Sequence, residues 1–159
     1  MLIVKSYGGL GNQMFQYAFY EFLKKDNPEN VFLDINDFKI HHHHHGFELM
    51  KVFDLKIDIA SEKQIKNISY NQNGLIYRFF KKYLKIILSK PTEYYEGLHT
   101  MLLQSSKINK DCYFIGFWQN EYYVNSIRDR LIEKFDFKKE FNNKNKALLE
   151  EIKNYDSVS

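Results

Sequence analysis

A short apolar run that ends in a glycine cluster and passes at once into helical spacing leaves few folds open. Leu2-Ile3-Val4 is the run and Ser6-Tyr7-Gly8-Gly9-Leu10-Gly11 the cluster. Beyond it Met14, Ala18 and Phe22 recur at the helical step with Phe15, Phe19 and Leu23 beside them, while Gln13, Gln16, Tyr20, Glu21 and Lys24 take the rest of the wheel. The spacing predicts a strand, a tight loop and a helix with one buried face. Asp26-Asn27-Pro28 stops the helix, and Val31-Phe32-Leu33-Asp34 offers a second strand. Strand, helix and strand in so short a span make a βαβ unit, a connection that leaves its strands parallel. The expected class is α/β, with a parallel, Rossmann-like sheet.

Composition narrows the rest. The chain has 159 residues, the size of one domain, and its 14 Phe and 12 Tyr against 7 Gly and 2 Pro exclude disorder for most of it. A formal charge of +3 is too mild for a nucleic-acid binder. The one cysteine, Cys112, cannot form an intramolecular disulfide, and it reads as a small buried apolar residue in a reducing compartment. The opening residues lack the apolar core of a signal peptide and no stretch is long enough to span a membrane, so the expected location is cytoplasmic and the Asn67-Ile68-Ser69 sequon unused.

Residues 39–53 fit no simple period and read as a loop or short irregular turn. Leu75, Ile76, Phe79, Phe80, Tyr83, Leu84, Ile87 and Leu88 repeat at steps of three and four, with Arg78, Lys81, Lys82 and Lys85 opposite, which predicts an amphipathic helix. Cys112 to Trp118 reads as a buried strand, Tyr122 to Phe135 as a helix with Ile127, Leu131, Ile132 and Phe135 inward, and Asn143 to Lys153 as another helix. Asp156-Ser157-Val158-Ser159 resembles a strand begun and cut short.

Four features bear on function, each with an ordinary reading beside it. The glycine cluster at a helix start suits an anion or a sugar hydroxyl, or is a plain tight turn; it fits neither the dinucleotide fingerprint nor a P-loop. Asn12 and Gln13 add two amides on the first helical turn, able to point into a cleft. The run His41 to His45 invites a metal, but adjacent side chains rarely converge on one ion, and a solvated loop with one histidine lending itself to a polar cleft is the simpler account. The basic face of residues 75–88 is solvated or rests on anionic lipid headgroups. Trp118, followed by Gln119, Asn120 and Glu121, is a core tryptophan or a sugar-stacking ring at a strand end.

Three segments together resemble one family. Gly8-Gly9-Leu10-Gly11-Asn12-Gln13-Met14-Phe15-Gln16-Tyr17-Ala18, then Gly46-Phe47-Glu48-Leu49 after histidine, then Phe114-Ile115-Gly116-Phe117-Trp118-Gln119-Asn120-Glu121, are similar in order and spacing to bacterial glycosyltransferase family 11, the α-1,2-fucosyltransferases. The resemblance implies a GT-B-type, two-lobed enzyme that moves L-fucose from GDP-fucose to the 2-hydroxyl of a galactose in a glycan acceptor, inverting the anomeric centre with no obligatory metal or other cofactor. Carried over, it implies that Gly9, Gly11, Asn12 and Gln13 face the donor diphosphate and the transferring sugar, with His45 and Trp118 lining the acceptor side. No catalytic base is assigned; Asp34, Glu48 and Glu121 qualify by type alone. The family's His-x-Arg-Arg-Gly-Asp-Tyr donor motif does not occur, so residues 1–159 read as the amino-terminal lobe of a chain truncated before the donor-binding lobe, inactive in transfer by itself. Such a lobe should self-associate and, at most, touch the inner face of the membrane peripherally. The alternatives are a non-catalytic carbohydrate-binding remnant, a membrane-surface module and a histidine-run metal binder.

Overall fold

In the computed structural model, which describes residues 1–40, 45–69, 92–97, 108, 110–137 and 143–155, strand β1 (Leu2–Lys5) lies inside a four-stranded sheet. Its companions are β2 (Val31–Asp34), β3 (Glu93–Tyr95) and β4 (Cys112–Ile115), in the order β2-β1-β4-β3. All three pairings are parallel, and the register sets Leu2 opposite both Val31 and Cys112, and Glu93 opposite Tyr113. The α/β class expected from the first 34 residues is what the chain adopts.

The period of two sends Leu2 and Val4 to one face of the sheet and Ile3 to the other. Helix α1 (Leu10–Lys24) covers the first face with Phe19, Phe22 and Leu23, while α4 (Glu62–Ile68) covers the second with Ile65 and Ile68. Burial on both faces is why these strands are continuous apolar runs. The outer edge of β2 is covered as well: the Leu33 N–H donates to the Asp58 carbonyl and the Ala60 N–H to the Leu33 carbonyl, each at 2.8 Å. Asn27 Nδ2 closes α1 by donating to the Leu23 carbonyl at 3.1 Å, just ahead of Pro28. A capping box starts α4, with Ser61 and Gln64 each bonding the other's backbone N–H.

The remaining helices are the short α2 (Asp37–Ile40) and α3 (Leu49–Val52), then α5 (Glu121–Ser126), α6 (Arg128–Lys134) and α7 (Asn143–Lys153). Three sequence expectations need correction. Helix α1 is covered nearly all round: Gln13, Gln16, Tyr20 and Glu21, placed on the polar side of the wheel, are buried against the residues 46–48 segment, the Gly116 loop, Asp58 and Arg130 of α6 respectively. Tyr17 lies 5.6 Å from Phe135, and the buried Glu21 carboxylate pairs with Arg130 Nε at 2.8 Å. The single helix expected from Tyr122 to Phe135 breaks at Ile127 (φ −137°, ψ 24°), where the neighbouring Ser126 Oγ bonds the Tyr122 carbonyl in competition with the helical ladder. The strand expected to reach Trp118 stops at Ile115. Helix α7 forms as expected, with Leu148 and Ile152 exposed. The helix expected over 75–88, His41 to His44 and residues 156–159 lie outside the described residues. Among the described residues no helix is long and apolar enough to cross a membrane.

Cys112 is buried in β4, and burial pushes its thiol up to about 11. Alkylation by a maleimide at pH 8 is therefore expected to be slow on the folded chain and complete within minutes in urea. Equal rates in the two states would show that β4 is not held in the sheet.

Candidate functional site

From β1 the chain moves to β2 on one side, while β4 lies on the other, so the loops that leave β1 and β4 lie side by side at the carboxyl ends of adjacent parallel strands. Open parallel sheets bind their ligands outside the carboxyl ends of the strands, and we call the gap between these two loops the crevice. Its walls are residues 6–9 with the start of α1, and residues 116–120.

On the first wall Gly8 takes φ +85°, which favours glycine, and Asn12 Nδ2 lies 2.8 Å from where a Cβ there would stand. Gly9 is the N-cap of α1 and offers no side chain to its N–H groups. The first helical bond is from the Gln13 N–H to the Gly9 carbonyl at 3.1 Å, which leaves the N–H groups of Leu10, Gly11 and Asn12 outside the ladder at the positive end of the helix. Gly11 is exposed, and a Cβ there would meet no atom within 4 Å.

The amide of Gln13 is fully engaged within the protein. Its Nε2 donates to the carbonyls of Gly8 and Gly46, both at 2.9 Å, and its Oε1 accepts from the Glu48 N–H at 2.8 Å. The side chain has no exposed surface, so it acts as a bolt between the glycine turn and residues 46–48. Through it the segment carrying His45 is held beside the turn; His45 itself is exposed, and its carbonyl accepts from Lys51 Nζ at 3.2 Å.

On the second wall Trp118 is also buried completely. Its ring stacks on Phe19 with centroids 4.1 Å apart and meets Phe114 edge-on at 5.9 Å, so the ring face expected to hold a sugar is covered by the core. Its backbone has φ +56°, and its indole N–H has no hydrogen-bond partner among the described residues. Around it the loop is tied at several points. Gln16 Nε2 donates to the Gly116 carbonyl at 3.3 Å, while Gln16 Oε1 accepts from Ser6 Oγ at 3.1 Å and from the Tyr7 N–H at 3.0 Å. Glu96 Oε2 accepts from the Phe117 N–H at 2.6 Å, and a Cβ on Gly116 would collide with the Glu96 side chain. Asn120 caps α5 by accepting from the Tyr122 N–H at 2.9 Å, and Gln119 Nε2 crosses the crevice to Asn12 Oδ1 at 2.9 Å.

The mouth also holds Tyr7, whose ring lies 4.9 Å from Phe117 and whose phenol is pushed up to about 12 by burial and by the charges of Glu96 and Asp37. Lys5, beside it, pairs with Asp37 at 3.1 Å. Of the acids named by type, Asp34 is buried and accepts from Tyr113 Oη at 2.6 Å and from the Asn36 N–H at 2.9 Å, while Glu121 is exposed on the first turn of α5. Among the described residues no group of three histidine, cysteine or acidic side chains could hold a metal ion.

The structure thus brings Gly9, Gly11, Asn12 and Gln13 to one wall with the His45 segment against it, and sets Trp118 behind the other wall rather than on its surface. Gln16 and Glu96 are site-forming residues that sequence reasoning passed over. For Gln16 a signal existed, since it stands about one turn after Gln13 on the same helix; for Glu96, just after a three-residue strand, there was none.

A parallel sheet with helices on both faces, and a glycine turn leading from its first strand into a helix, defines an α/β, Rossmann-like lobe. Over 135 residues, 85% of the chain, the sequence is 32% identical to an alpha-1,2-colitosyltransferase of Escherichia coli. The chain is therefore similar to a glycosyltransferase along most of its length, and it spans 44% of that relative. No known family pattern and no solved structure matches the chain.

Proposed function

We propose that this chain supplies one wall of the donor site of an inverting glycosyltransferase that moves a 6-deoxyhexose, L-fucose in our reading, from GDP-fucose to the 2-hydroxyl of a galactose in a glycan acceptor. The observation that carries the reading is the glycine turn at the carboxyl end of β1, with N–H groups at the start of α1 that have no partner among the described residues, in a chain similar to a colitosyltransferase over 85% of its length. As the glycosidic bond lengthens, the departing diphosphate gains negative charge and the sugar acquires oxocarbenium character. Backbone donors already oriented at a helix start stabilise that charge without reorganising. Gly9 and Gly11 let the phosphates approach the backbone, Asn12 adds a side-chain donor, and Gln13 contributes by holding the turn rather than by contact. The exposed His45 borders the acceptor side, with Trp118 supporting that side from behind. No metal is needed for these roles, and cationic groups for the phosphates come from outside this wall. The lobe works in the cytoplasm, with peripheral membrane contact confined to glycan assembly on lipid.

Titrating GDP-fucose into the 15N-labelled chain tests this. The expected result is weak, saturable shifts of the Gly9, Gly11 and Asn12 amide signals, smaller with UDP-galactose, and transfer to a galactoside absent or slow. A folded chain whose α1 signals do not move at millimolar GDP-fucose would rule the reading out; shifts confined to a galactoside titration would favour the carbohydrate-binding alternative.

A further inference from the structure

The hydrogen bond from Gln119 to Asn12 joins the two walls of the crevice side chain to side chain. Each of Gln119's neighbours is committed to the architecture: Phe117 packs on Tyr7, Trp118 fills the core and Asn120 caps α5. Gln119 is exposed and does none of this; its one described contact is Asn12 Oδ1 at 2.9 Å. An amide pair in contact with water adds little stability. It does fix which way an amide faces, because a primary amide has one acceptor end and one donor end. With Oδ1 taken by Gln119, Asn12 Nδ2 is the end turned over Gly8, 2.8 Å from where a Cβ on that residue would stand.

We infer that Gln119 is a positioning residue that locks the Asn12 amide with its donor end toward the glycine turn, where it presents N–H groups to an acceptor with lone pairs, a phosphate oxygen above all. That the phosphate belongs to a nucleotide sugar rests on the function proposed above; the lock itself does not. The base of Gln119 is anchored by the second wall, where Gln16 and Glu96 tether Gly116 and Phe117 ahead of the left-handed Trp118 backbone.

A double-mutant cycle on the full chain, with GDP-fucose as the probe, tests the inference. Gln119→Ala is expected to weaken binding roughly tenfold, the worth of one hydrogen bond to a charged group. Asn12→Ala should weaken it at least as much, and the double variant no more than Asn12→Ala, with the melting temperature of Gln119→Ala close to that of the parent. Additive losses would mean that Gln119 touches the ligand directly and overturn the positioning role. Should the parent not bind GDP-fucose, the proposed function falls, and the lock is judged by NMR on the free chain. Ordering of the Asn12 side-chain NH2 must drop in Gln119→Ala while the α1 backbone stays ordered; unchanged ordering would overturn the inference.

Discussion

Gln13→Leu is expected to lower the free energy of unfolding by about 3 kcal/mol, a large loss for one polar side chain on the first turn of a helix. The leucine fits the volume but answers none of the three partners of the amide: the Gly8 and Gly46 carbonyls and the Glu48 N–H. Gln13 has no exposed surface, so water cannot replace the amide without opening the turn. Gln13→Glu separates chemistry from shape. Its carboxylate can still accept from the Glu48 N–H, but its other oxygen faces two carbonyls, so the charged form is disfavoured in the folded state and its folded pKa rises. The penalty is therefore small below the unfolded glutamate value of about 4.3, grows as pH rises above it, and is complete once the raised folded pKa is passed. Urea melts at pH 4 and pH 7, each referred to the parent at the same pH, should show Gln13→Glu recovering most of its deficit in acid while Gln13→Leu does not. A Gln13→Leu variant within about 0.5 kcal/mol of the parent would show that the bolt is not there.

The same residue marks how far sequence carried. Strand β1, the glycine turn, α1 and β2 follow from local spacing, because an apolar run and a helical period on either side of glycine suit one arrangement; α7 is read in the same way. What local spacing leaves out is the second layer. Gln13, Gln16, Tyr20 and Glu21 look like a solvent face until the segment at residues 46–48, the Gly116 loop, Asp58 and Arg130 of α6 cover them, and those contacts join residues up to about a hundred positions apart, such as Gln16 and Gly116. The break at Ile127 was hidden because Ser126 acts on the backbone, while the apolar period runs through it undisturbed. The Ser61/Gln64 capping box was legible as a motif and passed over in a polar stretch. At the site, the residue types were visible but not their assignments: the sequence shows two amides at the helix start, and only the fold shows that Gln13 is spent on the protein while Asn12 lies at the crevice.

Trp118 yields the second large effect, and an unusual order of substitutions. Its ring is sandwiched in the core against Phe19, Phe114 and Tyr123, so Trp118→Ala is expected to cost about 3–5 kcal/mol, as for other buried aromatics. Trp118→Phe keeps most of the stack on Phe19 and removes a buried N–H that has no partner among the described residues, so the lost volume is partly offset and the variant should retain most of the stability. In a helix or strand, glycine is worse than alanine; here the backbone has φ +56°, where every side chain with a Cβ is strained and glycine is not. Trp118→Gly should therefore be more stable than Trp118→Ala by about 1 kcal/mol, although it removes one more carbon from the core. Urea unfolding of the three variants decides it. Alanine ranking above glycine would mean that Trp118 leaves the left-handed region once its ring is gone, so that the core ring, and not the Gly116 and Phe117 tethers, bends the chain at the crevice wall. Glycine ranking above alanine would mean that the tethers impose the bend by themselves and the tryptophan ring is what makes so strained a backbone tolerable, with the wall held rigid from both sides.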